Sequence, residues 1–137
     1  MFTAPSDNQI KSLLAESTTI AVVGMSPKNV RPSNSVAVYL MAQGYRVIPV
    51  NPGHRETLGL TCYPDLDAIP ESVDIVDIFR KSSEVGPVVD QAVDIDARAV
   101  WMQLGIINEE AADKALSAGL VTIMDRCLKV EHSRLFL

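Results

Sequence analysis

Between residues 24 and 33 the chain reads Gly24-Met25-Ser26-Pro27-Lys28-Asn29-Val30-Arg31-Pro32-Ser33, and helical spacing takes over at Asn34. A glycine after an apolar run lets backbone pass close to a ligand, and a helix start offers unpaired N–H groups with a positive dipole end. Ser26, Lys28, Arg31 and Ser33 add side-chain donors. The chemistry such a loop can do is to bind an anion, phosphate above all. A solvated connection whose glycine only relieves a turn would use the same residues, so at this point the loop is a candidate.

Three other segments carry polar groups after apolar runs. Asn51-Pro52-Gly53-His54-Arg55 lacks the acidic residue that takes the ribose hydroxyls of NAD. It suits an adenine nucleotide with an extra ribose phosphate, or it is a plain Pro/Gly turn. Phe79-Arg80-Lys81-Ser82 offers phosphate or adenine contacts, or a solvated basic pair at a helix start. Trp101-Met102-Gln103-Leu104-Gly105 brings an amide and a glycine, with Trp101 itself read as core. Gly24 is followed by Met25 and Ser26 where a dinucleotide fingerprint needs more glycines, and no Walker loop is present.

The remaining reactive residue types point less clearly. Cys127 follows Asp125 and Arg126, where the guanidinium would favour a thiolate; a buried inert thiol is the more frequent case. Cys62 reads as inert. His54 and His132 lack partners at ligand spacing, so no metal centre is expected. Asp74 and Asp77 interrupt one apolar run on opposite faces, and the sequence offers no account of either.

The elements that must position these residues alternate. Val- and Ile-rich runs at 19–23, 46–50, 73–79, 99–103 and 120–124 read as strands. Between them lie helical faces: Val36, Ala37, Leu40 and Met41 before Gly44; Val85, Val88, Val89, Ala92 and Val93; and Ala111, Ala112, Ala115 and Leu116 before Gly119. Ile10, Leu13 and Leu14 mark a helix near the start. Ser83 and Asn108 are the expected N-caps. Strands apolar on both faces and separated by helices predict an α/β fold, Rossmann-like and doubly wound, with about five mainly parallel strands and helices on both faces. In such sheets the ligand crevice lies beyond the carboxyl ends of the strands, where strand order reverses. All the polar segments above fall there.

With 137 residues, a single domain over 1–137 is expected. Hydrophobic residues at 47% and charged residues at 21% describe an ordinary folded protein, and a net charge of -5 argues against nucleic acid or anionic lipid as partners. Two well-separated cysteines suit reduced thiols, and the start of the chain has neither a basic leader nor a long apolar stretch. A cytoplasmic location without membrane association is the expectation.

Gly24-Met25-Ser26, Arg31-Pro32-Ser33, Val47-Ile48-Pro49-Val50-Asn51-Pro52, Asp74-Ile75-Val76-Asp77-Ile78-Phe79-Arg80 and Trp101-Met102-Gln103-Leu104-Gly105 occur in order, continuing to Met124-Asp125-Arg126-Cys127. In these motifs the chain resembles the small stand-alone CoA-binding protein family, itself similar to the CoA-binding domain of the succinyl-CoA synthetase α subunit. The resemblance implies coenzyme A, or an acyl-CoA, as cofactor at the carboxyl edge of the sheet. It implies that Gly24, Met25, Ser26, Arg31, Pro32 and Ser33 hold the phosphate-bearing part and that Asn51 and Pro52 form a neighbouring wall. Phe79, Arg80, Lys81, Gln103 and Gly105 would add contacts. The synthetase's phosphohistidine domain has no counterpart here, so its ligase activity does not carry over, and the expected role is a non-catalytic binding module, carrier or sensor. An NADP-dependent oxidoreductase is the alternative, and a docking subunit that merely retains the fold a third reading; no protein partner is named by the sequence.

Overall fold

The computed structural model of the protein describes residues 2–137. Five strands, β1 (Thr19–Val23), β2 (Arg46–Val50), β5 (Ile75–Ile78), β6 (Ala99–Met102) and β7 (Val121–Ile123), form one parallel sheet in the order β2-β1-β5-β6-β7. A small antiparallel pair, β3 (Glu56–Thr57) with β4 (Leu60–Thr61), lies beside β2. The expected strands are all present, the last three trimmed at their ends. Every residue of β1, β5 and β6 is buried, as the unbroken apolar runs require of strands covered on both faces.

Side chains alternate across the sheet and so define two cores. Ala21, Val23, Val76, Ile78, Val100 and Met102 pack against α3 (Val85–Asp94) and α4 (Glu109–Ser117). Ile20, Val22, Ile75, Ala99 and Trp101 face α1 (Asp7–Glu16), α2 (Pro32–Ala42) and α5 (Leu128–Phe136). Helices therefore cover both faces. Trp101 is fully buried, and its indole N–H donates to the Arg126 carbonyl at 2.8 Å, which satisfies the polar end of a core side chain.

The helices depart from the sequence expectations in three places. α2 starts at Pro32, two residues before Asn34, because a proline at the first position loses no helical hydrogen bond and has its φ preset. Ser83 does not cap α3: Ser82–Glu84 forms a 3-10 turn, Glu84 takes the cap position, and Ser82 instead accepts the Ile107 N–H at 3.0 Å. Asn108 caps α4 as expected, accepting from Ala111 N. The segment after Cys127, with no strong periodicity, is a packed helix. It is held by Arg134, which pairs with Asp7 and Glu131, and by the Tyr39 hydroxyl against His132 Nδ1 at 2.7 Å, with Phe136 stacked on the same imidazole.

Asp74 precedes β5 and ties it to β1. Its carboxylate accepts the Thr18 and Thr19 backbone N–H groups at 2.8 and 3.0 Å and the Thr18 hydroxyl at 3.2 Å. Burial alone would raise its pKa, but these bonds hold it below the usual value. Asp74→Ala, leaving those donors without their acceptor, is expected to cost about 1–3 kcal/mol in urea denaturation at neutral pH. Because the folded pKa is depressed, the difference from wild type should shrink as pH falls through the carboxylate range. A cost that persists unchanged in acid would rule out the charged hydrogen bonds as its source.

Candidate functional site

Strand order reverses between β1 and β5, since β2 lies on one side of β1 and the strands that follow lie on the other. The loops after β1 and β5 diverge there and leave a cleft beyond their carboxyl ends. A cleft of about 460 Å³ occupies this place, lined by residues of the first loop, by Phe79 and by His54.

The first loop is built into the sheet edge. Gly24 N donates to the Val50 carbonyl at 2.8 Å, and Gly24 has φ +85°, a conformation L side chains rarely adopt. A Cβ at this position would sit 2.3 Å from the Phe79 carbonyl oxygen, so the backbones of the two diverging loops touch at this glycine. Met25 then turns its side chain fully into the core against α1 and α2. Asn51 fixes the loop from the other side: its side-chain N–H donates to the Met25 carbonyl at 2.9 Å, while its side-chain oxygen accepts the Gly53 N–H. Ser33 Oγ accepts from Ser26 N at 3.0 Å, and Asn34 donates to the Ser26 carbonyl at 3.1 Å. The loop is thereby pinned to the first turn of α2, which carries no acidic residue to offset the helix dipole.

Charge is distributed unevenly around this frame. Among the described residues, Arg46, Arg98, Lys114, Arg126 and Arg134 form ion pairs. Lys11 and Lys129 lie over aromatic rings. Lys28, Arg31, Arg55, Arg80 and Lys81 have no side-chain partner among the described residues, and all five stand on the loops after β1, β2 and β5. No carboxylate lines the cleft, whose charged residues are Lys28 and Arg31.

Residues 18–133 match the family described as CoA binding domain. The chain belongs to the CoA-binding domain family. It is 40% identical over 129 residues to the uncharacterized protein YneT of Bacillus subtilis, covering 94% of this chain and 96% of that protein. A solved structure of a hypothetical protein from Pyrococcus horikoshii OT3 superposes with a TM-score of 0.94 at 40% identity, covering 100% of this chain and 99% of that one. The chain is also 32% identical over 108 residues to acetate–CoA ligase (ADP-forming) I of Archaeoglobus fulgidus, covering 78% of this chain but 16% of the ligase. This CoA-binding domain thus spans a small part of that enzyme.

The CoA-binding domain gathers only some of the residues expected from the sequence around its cleft. Gly24, Ser26, Arg31, Pro32, Ser33 and Phe79 line it together with Lys28. Met25 is buried with its N–H and carbonyl engaged by Val50 and Asn51, and Asn51 is occupied in holding the loop. Pro52 is exposed on the neighbouring turn, and Arg80 and Lys81 follow Phe79 outside the lining. Gln103 is 4% exposed, and its amide nitrogen donates to Asp77 at 2.7 Å; residue 103 alternates onto the same sheet face as Trp101, which is in register with Asp77. Gly105 donates its N–H to the Asp125 carboxylate at 2.7 Å. Cys127 is half-buried at the start of α5, and the Arg126 guanidinium beside it is engaged by Glu131 at 3.3 Å. His54 lines the cleft although the sequence shows no ligand-spaced partner for it; its place after the second strand was the available signal.

A larger groove of about 550 Å³ lies at the other edge of the sheet, between α1 and β7. Its one cation, Arg98, is paired with Glu16, so it offers phosphate no free charge.

Proposed function

We propose that the protein holds CoA or an acyl-CoA along the carboxyl edge of its sheet, with phosphate groups in the cleft between the first loop and Phe79. The observation that carries this reading is the set of cations without partners on the loops after β1, β2 and β5, in a chain whose net charge is -5. Lys28 and Arg31 supply charge beside the start of α2, and Ser26 and Ser33 supply hydroxyl groups. Arg55, Arg80 and Lys81, on the loops after β2 and β5, are the further cations offered to the rest of a long ligand. Asn51, Met25 and Gly24 act by holding the loop in shape. The role is that of a binding module, carrier or sensor, with no catalytic step of its own.

Calorimetric titration with CoA, acetyl-CoA, NADP and ATP tests it. CoA or acetyl-CoA should bind in preference, and Arg31→Ala should weaken that binding about tenfold or more, the loss of one charge-assisted phosphate contact. Affinity should also fall as salt is raised. The absence of an acid after β2, where His54 and Arg55 stand instead, keeps one alternative in view. Preference for NADP, with nicotinamide absorbance changes on carbonyl substrates, would replace the CoA reading with the oxidoreductase one.

A further inference from the structure

We propose that His54 makes ligand affinity in this cleft depend on pH, taking up a proton as the phosphates enter. This rests on the CoA reading above. Three groups lining the cleft can carry positive charge, Lys28, Arg31 and His54, and nothing in the lining carries negative charge. Lysine and arginine stay charged through the neutral range, whereas an imidazole gains its proton as pH falls from 8 to 5.

The placement of His54 is held by the same residue that shapes the phosphate loop. His54 N donates to the Asn51 carbonyl at 3.3 Å, and the Asn51 side chain binds the Met25 carbonyl at 2.9 Å. One asparagine therefore anchors both the turn bearing His54 and the loop bearing Lys28 and Arg31. These contacts hold the backbone of His54 beside the cleft, while its imidazole is exposed.

The charges around the imidazole set the direction of the effect. Lys28 and Arg31 line the same cleft, Arg55 and Glu56 follow it in its own segment, and Arg80 and Lys81 stand on the loop after β5. The Cys62 thiol, packed behind this turn and donating to the Asn51 carbonyl at 3.6 Å, is pushed up by burial and stays neutral. A phosphate bound beside His54 favours the imidazolium. Coupling is reciprocal: if the ligand draws a proton onto His54, then a proton on His54 tightens the ligand. Acidification thus strengthens binding.

The test is the CoA dissociation constant of the full chain at pH 6.0 and 8.0 for wild type, His54→Gln and His54→Lys. The phosphomonoester of free CoA titrates in the same range, and that change in the free ligand is common to all three proteins. Wild type should match His54→Gln at pH 8.0 and bind about threefold or more tightly than it at pH 6.0. His54→Lys should bind at least as well as wild type at both values. Repeating the wild-type titration near pH 6.5 in buffers of different ionisation enthalpy should reveal proton uptake that His54→Gln lacks. A wild-type to His54→Gln ratio that does not change with pH overturns the inference and leaves CoA binding intact. Failure of wild type to bind CoA at either pH overturns the CoA reading itself, and this inference with it.

Discussion

Gly24→Ala is expected to cost about 2–5 kcal/mol of folding stability, combining the strain of a left-handed alanine with overpacking at the sheet edge. The added Cβ would sit 2.3 Å from the Phe79 carbonyl oxygen, a backbone atom in the chain that leaves β5, so no side-chain rotation relieves the contact. Either the first loop lifts from the sheet or the end of β5 moves. Gly44 provides the control: it has φ +95° at the end of α2 but nothing within 4 Å of its Cβ position. Gly44→Ala carries only the conformational strain, about 1–2 kcal/mol. Urea denaturation of both variants separates the two terms. Equal costs would mean that the approach to Phe79 is loose enough to accept a methyl group. Since the displaced loop is the one bearing Lys28 and Arg31, Gly24→Ala should also lose CoA affinity under conditions where it remains folded.

The second large effect concerns Asp77, in the middle of the central strand β5. Its side chain is completely buried, with Oδ1 accepting from Gln103 and Oδ2 without a partner. Burial pushes its pKa up to about 8, against the smaller opposing effect of the Gln103 bond, so the fold favours the neutral acid. The folded pKa is raised above its ordinary 3.8, so the native state holds a proton that the unfolded chain releases. Its contribution to stability is complete below the unfolded pKa and is lost as pH rises through the folded one. Asp77→Asn keeps the shape and the acceptor for Gln103 without a titrating group. Wild-type stability minus that of Asp77→Asn should therefore fall by about 1.4 kcal/mol per pH unit across the window between those two values. Above pH 8 the variant should be relatively the most favoured. Parallel profiles for the two proteins would show that the carboxylate is already ionised inside the fold.

Much of the architecture was legible from local pattern. Runs of Val and Ile buried on both faces can only be interior parallel strands when helices separate them, and the same alternation located the carboxyl-edge loops where the ligand is proposed to lie. Asn108 and Gly119 bounded α4 because capping is chemistry within a few residues. The last helix was missed for the complementary reason. Its stability comes from Arg134, His132 and Phe136 meeting α1 and α2, while its own sequence is weakly patterned. Ser83 does not cap because it lies inside the 3-10 turn Ser82–Glu84, whose Ser82 hydroxyl meets the loop after β6, 25 residues on.

At the site, the sequence by itself determined which residue types gather at the sheet edge: a glycine, hydroxyl groups, lysines and arginines, in loops chosen by the order of strands and helices. Tertiary structure decided what each one does. Asn51 and Gln103 read alike as polar groups near the crevice, yet one clamps the first loop and the other turns beneath the edge to meet Asp77. The cations also read alike, and only the positions of distant carboxylates separate those that are paired from those left free. Backbone hydrogen bonding and apolar periodicity act between near neighbours and are written in local sequence. The partner of a charged or amide side chain is set by which strands lie side by side, and that is known only when the sheet has formed.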